Sequence, residues 1–336
     1  MRTRLELSRR VIWCVVVWVV WGIVGEGITF ADDESALMKR RQQGILTGMP
    51  FMANVATRTF VDATGRKLFL ANAPHRVVSM APSITEIMFA LGLDEALIAV
   101  TPLCDYPPAA QQKVRLGSTN PSVEQILALT PDVVLIPKNF LQPDLLHALE
   151  RMKVPTFVVQ AEELEEVALQ IQMIARMFER GPAGDALAGA MRARIAAVKT
   201  RMQRLARPRV LYVLNTDPLQ TVGPGSFVHQ MLELAGGTNI ASQAAVAYPR
   251  LALESVIASD PEFIVFPTGT MEGIPEEEQQ AWRRWSTLSA VVHGRLVGVP
   301  SVLVDRPGPR LVEGLERLAE ILHPESIPPS HLREAP

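Results

Sequence analysis

The chain has 336 residues, 48% of them apolar and 20% charged, enough to bury one large or two medium cores and too apolar for general disorder. Its 33 basic and 35 acidic residues give a net charge of −2, without the cationic excess that contact with a phosphate backbone calls for, so no nucleic-acid partner is expected. Once Cys14 is set aside with the leader, Cys104 is the only cysteine. No internal disulfide can then form, and stability must come from the core.

Arg2, Arg4, Arg9 and Arg10 precede an apolar run from Val11 to Val24, and Ala31 follows just before Asp32 and Asp33. Basic, then apolar, then small is the order of a secretory signal peptide over residues 1–31, which predicts a periplasmic protein. A membrane anchor left uncleaved is the alternative, although about 14 apolar residues fall short of the ~20 that span a bilayer. Trp13 stands before Cys14, where a lipidation site wants a small residue. Residues 32–58 read as a polar, flexible segment.

Residues 59–161 read as an N-terminal α/β lobe. Thr59–Val61 and Lys67–Leu70 form a hairpin turning at Gly65, Arg76–Met80 is a short apolar run, and Ser83-Ile84-Thr85-Glu86 has the capping-box spacing of a helix that stops at Gly92. Strands at Leu97–Val100, Asp132–Ile136 and Thr156–Val159 alternate with helices at Val123–Leu129 and Asp144–Met152, which predicts a parallel sheet covered on both faces. Residues 162–207 are helix-forming almost throughout, interrupted at Gly181-Pro182-Ala183-Gly184. Asp185 to Arg204 alone would span about 30 Å, with too few heptads to require a coiled coil.

Residues 208–325 return to the first pattern. Arg209–Leu214, Phe263–Phe266 and Arg295–Val299 read as strands, and Phe227–Leu234, Leu253–Ala258 and Arg310–Leu322 as helices, ahead of a flexible tail at 326–336. The predicted fold class is α/β, two lobes joined by a long helix.

An internal repeat supports the two-lobe reading. Glu124 to Pro137 reads EQILALTPDVVLIP and Glu254 to Pro267 reads ESVIASDPEFIVFP, without a gap and with the glutamates, alanines 128 and 258, and both prolines matched. Any α/β protein repeats a helix–turn–strand unit, and the macrodipole favours glutamate in a first helical turn. The sharper reading is that each lobe presents an equivalent carboxylate, Glu124 and Glu254, to a partner with two-fold symmetry of its own.

Arg76-Val77-Val78-Ser79-Met80-Ala81-Pro82-Ser83-Ile84-Thr85-Glu86, Cys104-Asp105-Tyr106-Pro107-Pro108, Asn120-Pro121-Ser122-Val123-Glu124 after Gly117, and Leu129-Thr130-Pro131-Asp132 follow one another in the first half. Val222-Gly223, Leu234-Ala235-Gly236-Gly237-Thr238-Asn239-Ile240 and Arg306-Pro307-Gly308-Pro309-Arg310 follow in the second. As an ordered set these resemble the periplasmic binding proteins of cobalamin and iron-complex ABC importers, over about Arg76 to Pro324. The resemblance implies a monomer of two Rossmann-like lobes joined by a long rigid helix, a ligand cleft between the lobes, little hinge closure, and docking onto a membrane permease through Glu124 and Glu254.

In the cobalamin-binding members, aromatic side chains cup the corrin ring. The matching positions here are Leu103, Ser118, Pro137, Gln220 and Tyr248, of which Tyr248 alone is aromatic. Arg306 matches a ligand-facing arginine, while Val302 occupies the acidic position four residues before it. Cobalamin, a related corrinoid, haem and an iron–siderophore all stay open, with a corrinoid favoured by Asp105-Tyr106-Pro107-Pro108. Ser83 at a helix start could aim backbone N–H groups at the ligand or simply cap the helix. Tyr248 could stack on the ligand, and Arg306 could clamp an anionic group or stand in a solvated loop.

His75, His147, His229 and His293 are isolated, so any metal is expected inside the ligand, with no cofactor held by the protein. A sensor or scaffold on the same fold remains a further reading. Catalysis is not expected: there is no G-x-S-x-G or Walker motif, and Gly223-Pro224-Gly225-Ser226 lacks the phosphate-loop lysine.

Overall fold

Val77 to Met80 show how the sheets are built, because their alternate side chains enter different cores. Val77 packs with Ile84, Val133 and Leu135, while Val78 and Met80 pack with Val134, Ile136 and Ile126, the period-two alternation of a strand buried on both faces. The structure, a computed structural model, describes residues 57–117, 121–269 and 273–326. The leader, most of the segment 32–58, Ser118 and nearly all of the tail lie outside the described residues.

The first lobe opens with an antiparallel hairpin, β1 (Arg58–Val61) and β2 (Lys67–Leu70), turning through Gly65 at φ 83°. There follow β3 (Val77–Ser79), α1 (Pro82–Ala90), β4 (Leu97–Val100), β5 (Val114–Arg115), α2 (Val123–Ala128), β6 (Val133–Pro137), α3 (Pro143–Arg151) and β7 (Thr156–Val159). The five-stranded sheet runs β5-β4-β3-β6-β7, parallel at every pairing. After α4 (Leu164–Met177) and α5 (Gly181–Met202), the second lobe adds β8 (Arg209–Tyr212), a small hairpin of β9 (Asn215–Thr216) and β10 (Leu219–Gln220), α6 (Phe227–Leu234), β11 (Thr238–Asn239) and α7 (Leu253–Ser259). It ends with β12 (Phe263–Thr268), α8 (Glu276–Ala281), the single turns α9 (Ser289–Val292) and α10 (Ser301–Val304) on either side of β13 (Leu296–Pro300), and α11 (Leu311–Leu322). This sheet is also parallel, in the order β11-β8-β12-β13. In each sheet the chain grows outward from its first strand and then returns to that strand's other side, so the strand order reverses between β3 and β6 and again between β8 and β12, the switch points outside whose carboxyl ends open α/β sheets bind ligands.

The sequence repeat becomes a repeat of pairing and burial. Val133 of β6 sits opposite Val77, and Phe263 of β12, its counterpart, sits opposite Val210 in the equivalent strand of the second lobe. Val133 and Phe263 enter the largest apolar cluster, while Ile126 of α2 and Val256 of α7 each pack on the outer face of their own sheet. That largest cluster is continuous from Ile84 and Leu135 in the first lobe through Ile171, Ala175 and Ala188 to Met231 and Leu315 in the second. One shared core therefore sets the spacing of the lobes.

The long helical segment departs from expectation in one respect. It breaks at Glu179, whose φ is 59°, while Gly181 to Gly184 form the first turn of α5. Proline fits there because the first amides of a helix have no intrahelical partner. Helices α4 and α5 run antiparallel, with Gln172 donating to Asp185 at 2.6 Å and Arg192 bound to Glu165. Gly184 is required by their approach: a Cβ there would lie 2.3 Å from Cβ of Ala175. At 22 residues α5 is about 33 Å long, and Arg194 ties it to Glu316 of α11 in the second lobe. The bridge is thus a two-helix strut.

Gly184→Ala is expected to lower unfolding free energy by about 2 kcal/mol, the scale of overpacking a tight contact. Urea denaturation checks this, and an unchanged midpoint would show that the strut can open without cost.

Candidate functional site

At the carboxyl end of β3 the chain turns straight into α1. Ser83 is buried in the first helical turn, but the capping box expected from Ser83 and Glu86 does not form: Ala81 is the cap residue, Pro82 opens the helix, and no side chain caps it. The helix starts two residues earlier than that spacing requires, so Ser83 lies inside its first turn, and Glu86 is engaged elsewhere. Its carboxylate accepts two hydrogen bonds from Arg310, at 2.7 and 3.0 Å, and lies 3.8 Å from Arg306. Arg306 donates to Asp105 at 2.6 Å, and the Arg310 guanidinium stacks 3.7 Å from the centre of the Tyr106 ring.

These five side chains join the lobes. Glu86, Asp105 and Tyr106 belong to the first, Arg306 and Arg310 to the loop between α10 and α11 of the second. The loop comes close enough that a Cβ on Gly308 would lie 3.4 Å from Cα of Ser83. Arg306 is 6% exposed, which corrects the reading of it as a solvated loop arginine. Burial pushes the Glu86 carboxyl above the ordinary glutamate range, and Arg310 pulls it part of the way back. Neither partner can be removed without leaving the other charged and buried.

A buried polar chain anchors the loop that carries Asp105 and Tyr106. Ser79 Oγ donates to the Ala81 carbonyl, Thr85 Oγ1 donates to Ser79 Oγ, and the oxygens of Thr85 and Thr101 each lie 3.2 Å from Cys104 Sγ. Cys104 is fully buried and burial raises its thiol pKa, so it behaves as a packed residue and not as a reactive thiol.

Of the other expected crevice residues, Leu103 is half-buried on the first lobe and Pro137 is buried at the end of β6. Gln220, at the end of β10, donates from its amide to the Tyr248 carbonyl at 3.1 Å. Tyr248 and Val246 are 47% and 57% exposed. Partial burial raises the Tyr248 hydroxyl pKa, with further contributions from the carboxylates of Glu162 and Asp305, so at neutral pH the phenol stays protonated and can donate. Asp305 is itself held by the buried Tyr212, whose hydroxyl donates to it at 2.8 Å. The structure thus gathers Ser83 and Arg306 at the bridge between the lobes and places Gln220 with Tyr248, while Ser118 is outside the described residues. Glu86, Asp105, Glu162, Asp305 and Arg310 were not foreseen here; opposite charges at Glu86 and Arg310 within apolar or loop-forming motifs were the available signal.

Glu124 and Glu254 occupy the first turns of α2 and α7 and are exposed. Each helix runs back against a parallel sheet, so its amino end lies at the carboxyl edge of its own sheet. The Glu124 carboxyl is held below its ordinary range by its own backbone N–H and by the Ser122 hydroxyl, which keeps it ionised.

Comparison with known proteins agrees with this geometry. A family model described as periplasmic binding protein matches residues 77–303. A cobalamin-binding protein of Halobacterium salinarum is 30% identical over 278 residues, covering 79% of this chain and 74% of its own. The crystal structure of a periplasmic vitamin B12 binding protein of Vibrio cholerae superposes with a TM-score of 0.65 at 27% identity, covering 74% of this chain and 97% of that one. A periplasmic heme-binding protein of Roseiflexus sp. RS-1, in its apo form, gives 0.66 at 26% identity, covering 75% and 99%.

Arg310→Ala is expected to cost about 3 kcal/mol of stability at pH 7, because it strands a buried carboxylate. Without the guanidinium the folded-state Glu86 pKa rises further above the ordinary value near 4.5. A raised carboxyl favours the fold at low pH and loses that contribution as pH climbs through the folded value, so the deficit should shrink at pH 5. Urea unfolding of variant and native protein at both pH values decides it; an equal deficit at each would remove Glu86 from the explanation.

Proposed function

Because the chain belongs to the periplasmic binding protein family, we propose that it is the exported solute-capturing component of an ABC importer. In this reading it takes a corrinoid or another metal chelate between its lobes and delivers it to a membrane permease. What supports this reading is the family match over residues 77–303 together with two equivalent parallel sheets, each with one exposed glutamate, Glu124 or Glu254, in the first turn of the helix before its returning strand. A permease with two-fold symmetry would present matching cations, and such pairs contribute register and encounter rate more than affinity.

Capture relies on a preformed crevice. The continuous core and the Glu86–Arg310 pair hold the lobes at one spacing, so little ordering cost falls on binding. In this proposal Tyr248 supplies an apolar face and a hydroxyl donor, Gln220 is bound to its carbonyl, Ser83 and Arg306 contribute from the contact between the lobes, and Leu103 and Ser118 complete the proposed set. Arg306 is already matched by Asp105, and Glu162 and Asp305 add negative charge beside Tyr248. That balance suits a bulky ligand with amide-rich edges, such as a corrinoid, better than one bearing free carboxylates, such as haem. The similarity to proteins named for vitamin B12 and cobalamin supports the same choice, and the similarity to a heme-binding protein keeps haem as the alternative.

Mass spectrometry of the protein purified from its own periplasm should find a corrinoid. Tyr248→Ala should weaken cyanocobalamin binding about tenfold in calorimetry, the worth of one aromatic contact; hemin bound in place of cyanocobalamin would transfer the site to the alternative. Glu124→Arg combined with Glu254→Arg should stop uptake and leave ligand affinity within about twofold of native. Normal transport by that double variant would refute docking through these carboxylates.

A further inference from the structure

The two docking helices are short, six and seven residues, and each buries a single side chain, Ile126 in α2 and Val256 in α7. Isolated helices of this length are unstable in water, and one buried residue fixes a point but leaves a swivel about it. Something must hold the second end.

In both lobes it is an arginine at the amino end of the central strand. Arg76 donates to the carbonyls of Leu129 and Thr130 at 2.6 and 3.0 Å, beyond the last turn of α2. Arg209 donates to the carbonyls of Ser259 and Asp260 at 3.0 and 2.9 Å, at the end of α7. The chain leaves each helix through a left-handed residue, Thr130 at φ 45° and Asp260 at φ 41°. An acid two residues on then binds back: Asp132 accepts from the Arg76 amide at 2.9 Å and Glu262 from the Arg209 amide at 3.0 Å. The main chain repeats this too, with the amides of Asp132 and Glu262 each donating at 2.8 Å to the carbonyls of Arg76 and Arg209. Thr130 is β-branched, a residue type that rarely enters the left-handed region, so its conformation there is imposed by surroundings.

We infer that Arg76 and Arg209 are positioning residues for permease docking: by bridging the last carbonyls of α2 and α7, each arginine fixes the direction in which its helix presents Glu124 or Glu254. The guanidinium satisfies acceptors that a helix end leaves open and opposes the negative end of its dipole. Both arginines sit at the amino ends of the strands, opposite the crevice, so they have no part in holding ligand. This rests on the docking reading above and adds to it the feature that keeps the two carboxylates at a constant separation.

The test uses the whole protein purified from the periplasm and membrane vesicles of its host stripped of the native protein. It reads the protein concentration that half-saturates vesicle association, the plateau, cyanocobalamin affinity, and amide exchange across 123–130 and 253–260. With Arg76→Ala and Arg209→Ala combined, the midpoint should rise about tenfold with the plateau kept, exchange should quicken in both helices, and cyanocobalamin affinity should stay within about twofold. A general loss of folded protein would raise the midpoint too, so the midpoint is read per mole of cyanocobalamin-binding protein, on which scale misfolding alone leaves it at the native value. Glu124→Arg with Glu254→Arg runs in parallel. If it abolishes association while the arginine variant associates like native protein, positioning is overturned; if it changes nothing, the docking reading fails first. Should the alanine variant not fold, Arg76→Met with Arg209→Met keeps the apolar stem but offers the two carbonyls no donor, and native-level association by that variant overturns the proposal.

Discussion

The buried pairing of Glu86 with Arg310 is the constraint around which the two lobes are arranged. A carboxylate with its side chain 2% exposed is tolerable only with its countercharge in place, and here the countercharge comes from the opposite lobe. The loop bearing Arg310 must therefore cross to α1, and with it come Arg306 onto Asp105 and the guanidinium face onto Tyr106. Shared apolar packing resists separation of the lobes in any direction, whereas this network also dictates their registry. Such networks contribute specificity of arrangement more readily than net stability.

Duplication explains why one chain can present two equivalent surfaces. The second half repeats the first in strand order around its switch point, in the face to which each strand residue points, and in the arginine that closes the helix end. The copies differ where their neighbours differ. Ser122 caps α2 through a reciprocal pair with Gln125, while α7 has no side-chain cap. Asp260 instead uses its carboxylate on the backbone and hydroxyl of Ser289, a contact Thr130 cannot copy. The geometry of the helix–turn–strand unit is thus kept while its local supports diverge.

Much of the architecture was legible in the chain. Strands such as Leu97–Val100 and Thr156–Val159 are short apolar runs with clear stops and are found where expected, and the matched helix–turn–strand segments mark the equivalent places in each lobe. What escaped was short or depended on distant partners. The two-residue strands at Val114–Arg115 and Thr238–Asn239 carry too little pattern to announce themselves. Ser83 and Glu86 have capping-box spacing, but the spacing says nothing of an arginine 224 positions away that claims the carboxylate. Arg76 and Arg209 are equivalent in space yet fall outside the gapless repeat, because the offset between them is three residues longer than that between the helices. In the crevice, Tyr248 could be named from its matching position, whereas the carboxylates that raise its pKa, Glu162 and Asp305, become its neighbours only on folding.

Rigidity has a consequence for how cargo is handed over. Proteins that close about a hinge report occupancy through a change in lobe spacing, and a permease can read that spacing directly. Here α4 and α5 form an antiparallel strut bound to both lobes, the core runs unbroken between them, and a charge network spans the crevice. Two carboxylates mounted on such a frame keep nearly the same separation with or without ligand. In the docking proposed above, geometry and ligand occupancy would then be largely uncoupled, since a ligand shifts an equilibrium only by its differential affinity for the two states. Discrimination between loaded and empty protein must arise within the crevice itself, from the ligand's own exposed surface and from the partly exposed side chains beside it, Tyr248, Val246 and Asp105. The frame supplies address, and the crevice supplies content.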